Sequence, residues 1–272
     1  MKIGFIGAGN VGFSLSKWIN LKHHNVCGIY SKNVSDAKLA ADFSISEYYS
    51  DIKDIVYACD TLFLTVNDDS IKDVVDELSN LNLKNKILIH TSGSYTSDIF
   101  QKLNIDNYCI SIHPLYAFND KYNSYKNLDD IYFTIEGNLK YINELQELFN
   151  NKLIIIDKEN KEKYHLASSI ISNMVCSLVY MAEEIYKSIG INDKDIYMPL
   201  LLNNISNIKN NGPIEALTGP ILRLDLNTVK KHLNNLNGND LLIYKSLGLK
   251  IIEMSEKKTS KNYNEMKKLL EV

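Results

Sequence analysis

The chain has 272 residues, a formal net charge of −3 and a hydrophobic content of 45%. This length accommodates two domains, and so small a net charge gives no indication of a nucleic-acid or membrane-surface partner. The four cysteines lie far apart and form no C-x-x-C pair, so we expect reduced thiols, no metal site and a cytoplasmic location. We also expect no signal peptide, and the longest continuous apolar runs are too short to cross a bilayer.

The first motif is a glycine-rich turn between an apolar strand and a helix. Residues 2–6 suit a buried parallel strand, and the glycines that follow fit the G-x-G-x-x-G fingerprint. Its first glycine permits the tight turn, its second lets a pyrophosphate approach the backbone, and its third lets the helix pack on the strand. The free N–H groups of the helix would face the phosphates. We therefore predict a dinucleotide site at Gly7, Gly9, Asn10, Val11 and Gly12.

The end of the second predicted strand, residues 25–30, indicates which dinucleotide binds. NAD-selective sites usually place Asp or Glu there, and the carboxylate binds the ribose 2′-hydroxyl. This chain has Ser31, Lys32 and Asn33 instead. A hydroxyl, a cation and an amide suit a 2′-phosphate better, so we expect NADP(H), with Ser31 and Lys32 near that phosphate. The alternative is an ordinary polar loop.

The next predicted strand ends in polar residues at the edge where a doubly wound sheet binds its ligand. We expect Thr65, Val66 and Asn67 to lie along the nicotinamide half of the cofactor. Asp68 and Asp69 follow at once, and we expect them to serve the N-terminus of the next helix.

Two further strand ends each supply one candidate. Ser92 either contacts nicotinamide or substrate, or caps a helix at 97–102. His113 lies immediately before a proline, which holds its backbone extended. It is therefore either a structural turn residue or a catalytic group.

Alternation of strands and helices stops at residue 157, and the pattern from residue 158 is helical. We therefore predict an α/β fold in which an N-terminal Rossmann doubly wound sheet, residues 1–157, precedes an all-helical C-terminal domain, residues 158–272. The first domain would bind NADP, and the second would serve substrate binding and dimerisation.

A long helix predicted at 160–189 carries both an apolar stripe and a polar row. The stripe recurs at helical spacing from Leu166 to Ile185. The polar row is formed by His165, Ser169 and Asn173 at successive i, i+4 spacings. Polar side chains on a core helix need partners, so the row either meets substrate in the crevice or forms a helix contact or a solvated strip.

The segment 212–225 contains two proline breaks around a short helical turn, followed by Arg223 and Asp225. Arginine is suited to bidentate binding of a carboxylate or phosphate. Arg223 is therefore a candidate substrate ligand, and the alternative is a structural pair with Asp225.

These motifs resemble a bacterial family that joins a Rossmann-like NADP-binding domain to a helical C-terminal domain once described only as of unknown function. The resemblance covers nearly the whole chain and implies kinship with 6-phosphogluconate dehydrogenase, pyrroline-5-carboxylate reductase and ketopantoate reductase. The motifs that carry it are G-F-I-G-A-G-N-V-G at 4–12, L-T-V-N-D-D-S-I at 64–71, H-T-S-G at 90–93, H-P-L at 113–115, Y-H-L-A at 164–167 and A-L-T-G-P-I at 216–221.

Some members of this family resemble an alternative ketopantoate reductase of pantothenate synthesis, which implies reduction of 2-dehydropantoate, a small 2-oxo acid, by NADPH. Ketopantoate reductases of the usual kind carry Lys and Asn four residues apart on the first helix after the Rossmann domain. Asn173 matches that Asn, but Ser169 stands at the Lys position. We expect His165, one turn earlier, to be the proton donor instead, with His113 and Lys163 as alternatives.

The expected function is therefore that of an NADP-dependent oxidoreductase acting on a C=O group. Asn173 would orient the substrate oxygen, and Arg223 would bind the carboxylate. Two alternatives remain open: a cyclic-imine reductase of the pyrroline-5-carboxylate reductase type, and an NADP-binding sensor without turnover. The long apolar faces of the second domain predict a homodimer.

Overall fold

The computed structural model describes residues 1–103, 105–150 and 152–271. The chain divides into two compact units, Met1–Met174 and Val175–Val272. Strand–helix alternation ends near residue 157, as the sequence indicates, and the two units divide within the helical stretch that follows.

The N-terminal unit is built on a sheet of the strands β1 (Lys2–Ile6), β2 (Asn25–Tyr30), β3 (Glu47–Tyr49), β4 (Thr61–Leu64), β5 (Ile87–His90), β6 (Tyr108–Pro114), β7 (Phe133–Gly137) and β8 (Leu153–Ile155). Their order is β3-β2-β1-β4-β5-β6-β7-β8 in the part of the chain that is described. The first six strands pair in parallel, β7 is antiparallel to β6, and β8 is parallel to β7. The order 3-2-1-4-5-6 is that of the dinucleotide-binding fold, so the predicted fold class is confirmed.

The helices of the N-terminal unit are α1 (Asn10–Leu21), α2 (Val34–Ser44), α3 (Ile52–Ala58), α4 (Asp68–Ser79), α5 (Ile142–Leu148) and α6 (Lys161–Ser169). Those of the C-terminal unit are α7 (Val175–Ser188), α8 (Met198–Ala216), α9 (Pro220–Arg223), α10 (Leu226–Asn234), α11 (Gly238–Lys258) and α12 (Asn264–Leu270).

Side chains alternate along the strands between two hydrophobic clusters, one on each side of the sheet. Phe5 and Ile89 belong to one cluster, and Ile6 and Leu88 belong to the other. Neighbouring residues of one strand thus face opposite sides. The same alternation decides which polar residues share a face at the carboxyl end of the sheet.

The structure differs from the predicted elements at two places. The strand β3 was not predicted, because it is a three-residue edge strand with mostly exposed side chains and carries no apolar run. The helix predicted at 97–102 is a single 3₁₀ turn, Ser97–Phe100. The backbone amide and the hydroxyl of Ser97 both donate hydrogen bonds to the Glu136 carboxylate on β7. These bonds hold the start of the turn against the sheet.

The predicted long helix is interrupted by a π-helical segment, Ile170–Met174, between α6 and α7. A π turn holds more residues than an α turn and so changes the direction of every later side chain. His165 and Ser169 keep their i, i+4 relationship on α6, but Asn173 lies in the π segment. Asn173 thus follows His165 and Ser169 across a change of helix type, and its place on their face stays a prediction.

The C-terminal unit has a small core and much exposed apolar surface. Its buried cluster consists of Ile221, Val229, Ile252, Tyr263, Met266 and Leu270. Helices α7 and α8 lie wholly in the described part of the chain, and neither contains a buried residue. The predicted apolar stripe exists in the sequence, but within a single chain its members stay exposed, with Leu166 at 61% and Ile185 at 44%.

The helical stretch Lys158–Ser188 is long and apolar enough, by length and composition alone, to cross a membrane. Its most apolar window has a mean hydropathy of 1.3 and no buried residue. The start of this stretch belongs to the N-terminal unit, where the Lys161 amine donates a hydrogen bond to Ser111 on β6.

Candidate functional site

The three glycines of the fingerprint occupy three different environments at the end of β1. Gly7 has a φ of +115°, and a Cβ there would lie 2.7 Å from the Thr65 carbonyl carbon. A Cβ on Gly12 would lie 2.2 Å from the Gly7 carbonyl oxygen. Gly9 is open, because the nearest atom to its added Cβ would be 3.9 Å away. The turn needs Gly7, the helix contact needs Gly12, and Gly9 leaves space for a ligand.

The N-terminus of α1 faces this open space. Its first helical hydrogen bond runs from the Phe13 amide to the Gly9 oxygen, so the amides of residues 10–12 precede the hydrogen-bonded turns. No acidic residue stands in the first turn. The Asn10 side chain is engaged elsewhere, since its amide donates to the Phe118 oxygen at 2.8 Å and fastens the 116–127 loop to α1. The backbone at this end of the helix thus offers an anion site.

Two adjoining cavities follow the carboxyl edge of the sheet from this turn. The first, about 260 Å³, is lined on one side by Ser31 and Lys32. The second, about 520 Å³, reaches Thr91 and Ser92. Both share Gly9, Thr65, Val66 and Asn67 as walls, so they form one groove along the sheet edge.

The three polar residues of the loop after β2 have two different environments. Ser31 and Lys32 line the first cavity, together with Asp36 of α2. The Asn33 side chain accepts a hydrogen bond from the Ser35 amide and caps α2. A phosphate in this cavity would therefore meet Ser31 and Lys32, and Asn33 serves the helix.

Ser92 holds a turn at the far end of the groove. Its hydroxyl donates to Asp68 at 2.8 Å and accepts from the backbone amides of Ser94 and Tyr95. The Ser94 hydroxyl donates to the same Asp68 oxygen at 2.7 Å. Ser92 is thus both a structural residue and a wall of the groove, and Asp68 organises this turn from the start of α4.

His113 and His165 meet over the next residue of that turn, Gly93. A Cβ on Gly93 would lie 2.4 Å from His165 Nδ1 and 2.9 Å from His113 Nε2. The two imidazole centroids are 6.0 Å apart, and His113 Nδ1 lies 2.7 Å from the Tyr164 hydroxyl. His165 Nδ1 is buried and has no hydrogen-bond partner among the described residues. The structure therefore brings these two predicted residues together beside Gly93, which follows the groove residue Ser92 in the chain.

A buried polar group under this histidine pair was not predicted. The Lys161 side chain is fully buried, and its amine donates to the Ser111 hydroxyl at 2.6 Å. Ser111 pairs in register with His90 on β5 and with Glu136 on β7, so these side chains share one face of the sheet. The alternation of polar and apolar residues at 110–113 was a signal for Ser111 and His113, but the sequence had no comparable signal for Lys161.

Burial shifts the ionisation of the group. Desolvation, reinforced by the Lys161 charge, lowers the pKa of His90 to about 3 and that of His113 to about 4. Desolvation likewise lowers the pKa of Lys161 to about 8, against the opposing effect of Glu136. At neutral pH both of these histidines are uncharged, and Lys161 carries the positive charge.

The other predicted substrate residues lie outside this histidine cluster. Ser169 stands at the end of α6, and Asn173 is exposed in the π segment. In the C-terminal unit, Asp225 caps α10 by accepting from the Thr228 amide and hydroxyl. Within the described residues no ion pair joins Asp225 to Arg223, whose side chain is exposed. Arg223 thus remains free of the predicted structural pair and available to an anion.

Two family models match parts of the chain. Residues 2–93 match the family described as NADP oxidoreductase, coenzyme F420-dependent, and residues 131–251 match a domain of unknown function, DUF2520. This order agrees with the predicted NADP-binding domain followed by a helical domain. No curated protein matches the chain significantly.

Solved structures of similar fold extend over nearly the whole chain. Protein TM1727 from Thermotoga maritima is 25% identical, with a TM-score of 0.72 over 94% of this chain and 99% of that chain. A Bacteroides fragilis protein assigned as an NADP oxidoreductase is 22% identical, with a TM-score of 0.79 over 92% and 97%. A pyrroline-5-carboxylate reductase from Coxiella burnetii is 13% identical, with a TM-score of 0.61 over 94% and 96%. At these low identities the likeness of the last two is one of fold.

Proposed function

We propose that this chain is an NADPH-dependent reductase that transfers hydride to the carbonyl carbon of a small 2-oxo acid, with 2-dehydropantoate as the first candidate substrate. The observation that supports it most is the groove that runs from the glycine turn to Ser92, because two imidazoles converge on Gly93, the residue that follows Ser92. A dinucleotide needs such a run of backbone amides and small residues, and a carbonyl reduction needs a proton donor at its end.

The residues along the groove fit NADP(H). The amides at the start of α1 would bind the pyrophosphate, Ser31 and Lys32 would bind the 2′-phosphate, and the walls at Thr65, Val66 and Asn67 would flank the nicotinamide half. When bound, NADPH supplies the hydride. The match of residues 2–93 to an NADP oxidoreductase family supports the same cofactor.

The substrate oxygen gains negative charge as the carbonyl is reduced, and a positioned acid must neutralise it. We assign this proton donation to His165, because it lies beside Gly93 at the end of the groove. Asn173 stays the candidate that orients the oxygen, Ser169 a candidate polar contact, and Arg223 the candidate ligand of the substrate carboxylate.

We propose further that the protein is a homodimer. Support comes from the C-terminal unit, whose helices α7 and α8 bury no residue within one chain although they carry many large apolar side chains. Apolar surface of this extent is typical of an interface, and most oligomers of soluble proteins are closed homo-oligomers.

A cyclic-imine substrate is the second candidate. It is favoured by the extension of the fold over nearly the whole of a pyrroline-5-carboxylate reductase. A third reading, NADP binding without turnover, is disfavoured by the pair of imidazoles at the end of the groove, since a sensor needs no proton donor.

The test is consumption of NADPH followed by absorbance, with 2-dehydropantoate, other 2-oxo acids and 1-pyrroline-5-carboxylate as substrates and NADH as the control cofactor. Turnover of 2-dehydropantoate with NADPH is the expected result. Turnover of 1-pyrroline-5-carboxylate alone would show that the substrate is a cyclic imine and not a 2-oxo acid. Tight NADPH binding, measured separately by fluorescence, without turnover of any substrate would favour the third candidate, an NADP-binding sensor.

A further inference from the structure

The most unusual side chain of the N-terminal unit is Lys161, because lysine is rarely buried in full. Its exposed fraction is zero, and its amine donates a hydrogen bond to a neutral hydroxyl, Ser111 Oγ, at 2.6 Å. Nothing in the proposed hydride transfer uses this amine. A buried charge without a directly bonded carboxylate is costly, which indicates that Lys161 has a task beyond the stability of the fold.

Lys161 lies on the same face of the sheet as His113. Ser111, which holds the amine, and His113 are two residues apart on β6 and therefore face the same side. Lys161 also begins α6, the helix that places Tyr164 against His113 and His165 against Gly93. The lysine, the histidine and the tyrosine that contacts it are thus fixed by one strand and one helix.

We propose that Lys161 is a positioning residue that acts through His113: its buried ammonium group, held by Ser111 on the face of the sheet that also carries His113, adds to the effect of burial in disfavouring a proton on the imidazole. The imidazole can then accept the Tyr164 hydrogen bond over a wider acid range, and the catalytic proton is left to His165. The role of His165 rests on the proposed function, whereas the effect of Lys161 on His113 does not.

The groups that face His113 support this assignment. Lys161 and His165 both oppose a proton on the imidazole, and Asp68 favours one. His90, on the neighbouring strand, is itself kept uncharged by burial and by Lys161, and Glu136 favours the charged form of Lys161 by raising its pKa against the effect of burial. Burial has the largest effect on His113, and Lys161 has the second largest.

The charge and the tautomer of His113 together decide the direction of its bond to Tyr164. An uncharged imidazole has one acceptor nitrogen, whereas a charged imidazole has two donors and no acceptor. The Tyr164 hydroxyl, 2.7 Å from Nδ1, can donate to the uncharged ring only. Two charged imidazoles with centroids 6.0 Å apart would also repel each other.

The direct test follows the histidine C2 protons by NMR during a pH titration of the full chain, with His113→Asn identifying the resonance. In the unchanged protein we expect His113 to titrate near pH 4. In Lys161→Gln, which retains a hydrogen bond to Ser111 without the charge, we expect the midpoint to rise by on the order of one unit. Lys161→Met is the second uncharged variant, and Lys161→Arg should restore the low midpoint.

Lys158→Met is the matched control, because it removes an exposed lysine three residues earlier that pairs with Asp98. It should leave the His113 midpoint in place. Equal midpoints in Lys161→Gln and in the unchanged protein would overturn the proposal. A His113 midpoint near the ordinary value of about 6.5 in the unchanged protein would overturn it without any variant.

The second readout is the pH dependence of kcat. As the solution is made more acidic, we expect kcat of Lys161→Gln to begin to fall at a higher pH than kcat of the unchanged protein. The KM for NADPH should stay unchanged. Lys161→Arg should move the fall in kcat back to the lower pH. A purely structural lysine would lower activity equally at all pH values, and that result would contradict the assignment. Should every substrate fail, the proposed function fails, and the NMR titration still decides the effect of Lys161 on His113.

Discussion

The Thr65 hydroxyl donates a hydrogen bond of 2.8 Å to the Gly7 carbonyl oxygen. This bond joins the end of β4 to the glycine turn after β1, the two segments that wall the middle of the groove. The same two atoms are those that a Cβ on Gly12 would meet, at 2.7 Å and 2.2 Å. The glycine turn, the end of β4 and the start of α1 are therefore packed so closely that no side chain fits between them. Among the three glycines, Gly9 alone faces open space.

This packing predicts different outcomes for two alanine substitutions. Gly12→Ala forces its methyl group against the Gly7 carbonyl oxygen and should lower the free energy of unfolding by about 1–3 kcal/mol. Gly9→Ala meets nothing within 3.9 Å and should unfold like the unchanged protein. The added methyl group would occupy the space proposed for the pyrophosphate. The Kd of Gly9→Ala for NADPH should therefore rise by about tenfold, which corresponds to roughly 1.4 kcal/mol. Thermal unfolding and fluorescence titration measure the two effects, and equal NADPH affinity in Gly9→Ala would contradict the site.

Lys32 should select NADPH over NADH. The Lys32→Ala variant loses the cation that lines the first cavity, so its Kd for NADPH should rise by roughly tenfold, whereas its Kd for NADH should change little. Lys38→Ala is the control, because this α2 lysine lies over the Tyr48 ring and outside the cavity. Equal losses for both cofactors in Lys32→Ala would mean that Lys32 does not meet the 2′-phosphate.

The strands and the glycine turn could be predicted from the sequence because both follow from local patterns. A buried strand needs a short apolar run, and the turn needs glycines where a Cβ would strike the backbone, as at Gly7 and Gly12. The strand β3 has neither feature and was not predicted.

The interior of the site could not be predicted in this way. The burial of Lys161 depends on how α6 docks on β6, which is a tertiary contact between residues 50 positions apart. The π segment at Ile170–Met174 alters helical register without any sequence mark comparable to glycine or proline. The sequence therefore could not show where this segment turns Asn173, whereas the proximity of His113 and His165 is a feature of the structure between a strand end and a helix start.

The buried histidines should make the fold sensitive to acid. The pKa of His90 falls from an ordinary value near 6.5 to about 3 in the folded chain, and that of His113 falls to about 4. Below about pH 6.5 the unfolded chain therefore binds protons that the folded chain does not, and stability falls as the pH falls towards 4. Each histidine contributes a slope of at most about 1.4 kcal/mol per pH unit.

His90→Gln tests this sensitivity, because glutamine can still donate to the Thr96 carbonyl oxygen that His90 Nε2 contacts at 3.2 Å. We expect a shallower decline of unfolding free energy between pH 6.5 and pH 4 than in the unchanged protein, measured by denaturant titration at each pH. His23→Asn removes an exposed histidine instead and serves as the control. An unchanged slope in His90→Gln would show that the buried ring is protonated in the folded state.

Replacement of the proposed donor should affect turnover and not cofactor binding. His165→Ala should lower kcat by about 10²–10⁴-fold, the range typical of a lost general acid, with the Kd for NADPH unchanged. Asn173→Ala should also lower kcat if its amide orients the substrate oxygen. Steady-state kinetics and fluorescence titration separate the two quantities. Full kcat in both variants would remove these residues from the mechanism.

The apolar surface of α8 should hold two chains together. Leu200 is 68% exposed in a single chain, and it lines an apolar groove of about 740 Å³ within the C-terminal unit, with Leu178 of α7 on the groove wall. A glutamate at such a position would lose its hydration in an interface but not on a free surface. We therefore expect Leu200→Glu to convert the dimer into a monomer in light scattering, with no loss of NADPH affinity in the N-terminal unit.

The matched control for this substitution is Leu39→Glu, on α2 of the N-terminal unit, where the leucine is 46% exposed in a single chain. It should remain dimeric, because we place no interface on α2. Two results would contradict the proposal: an unchanged protein that is monomeric at all concentrations measured, or a Leu200→Glu variant that dimerises as tightly as Leu39→Glu. Either would leave the exposed helices α7 and α8 to a partner other than a second copy of this chain.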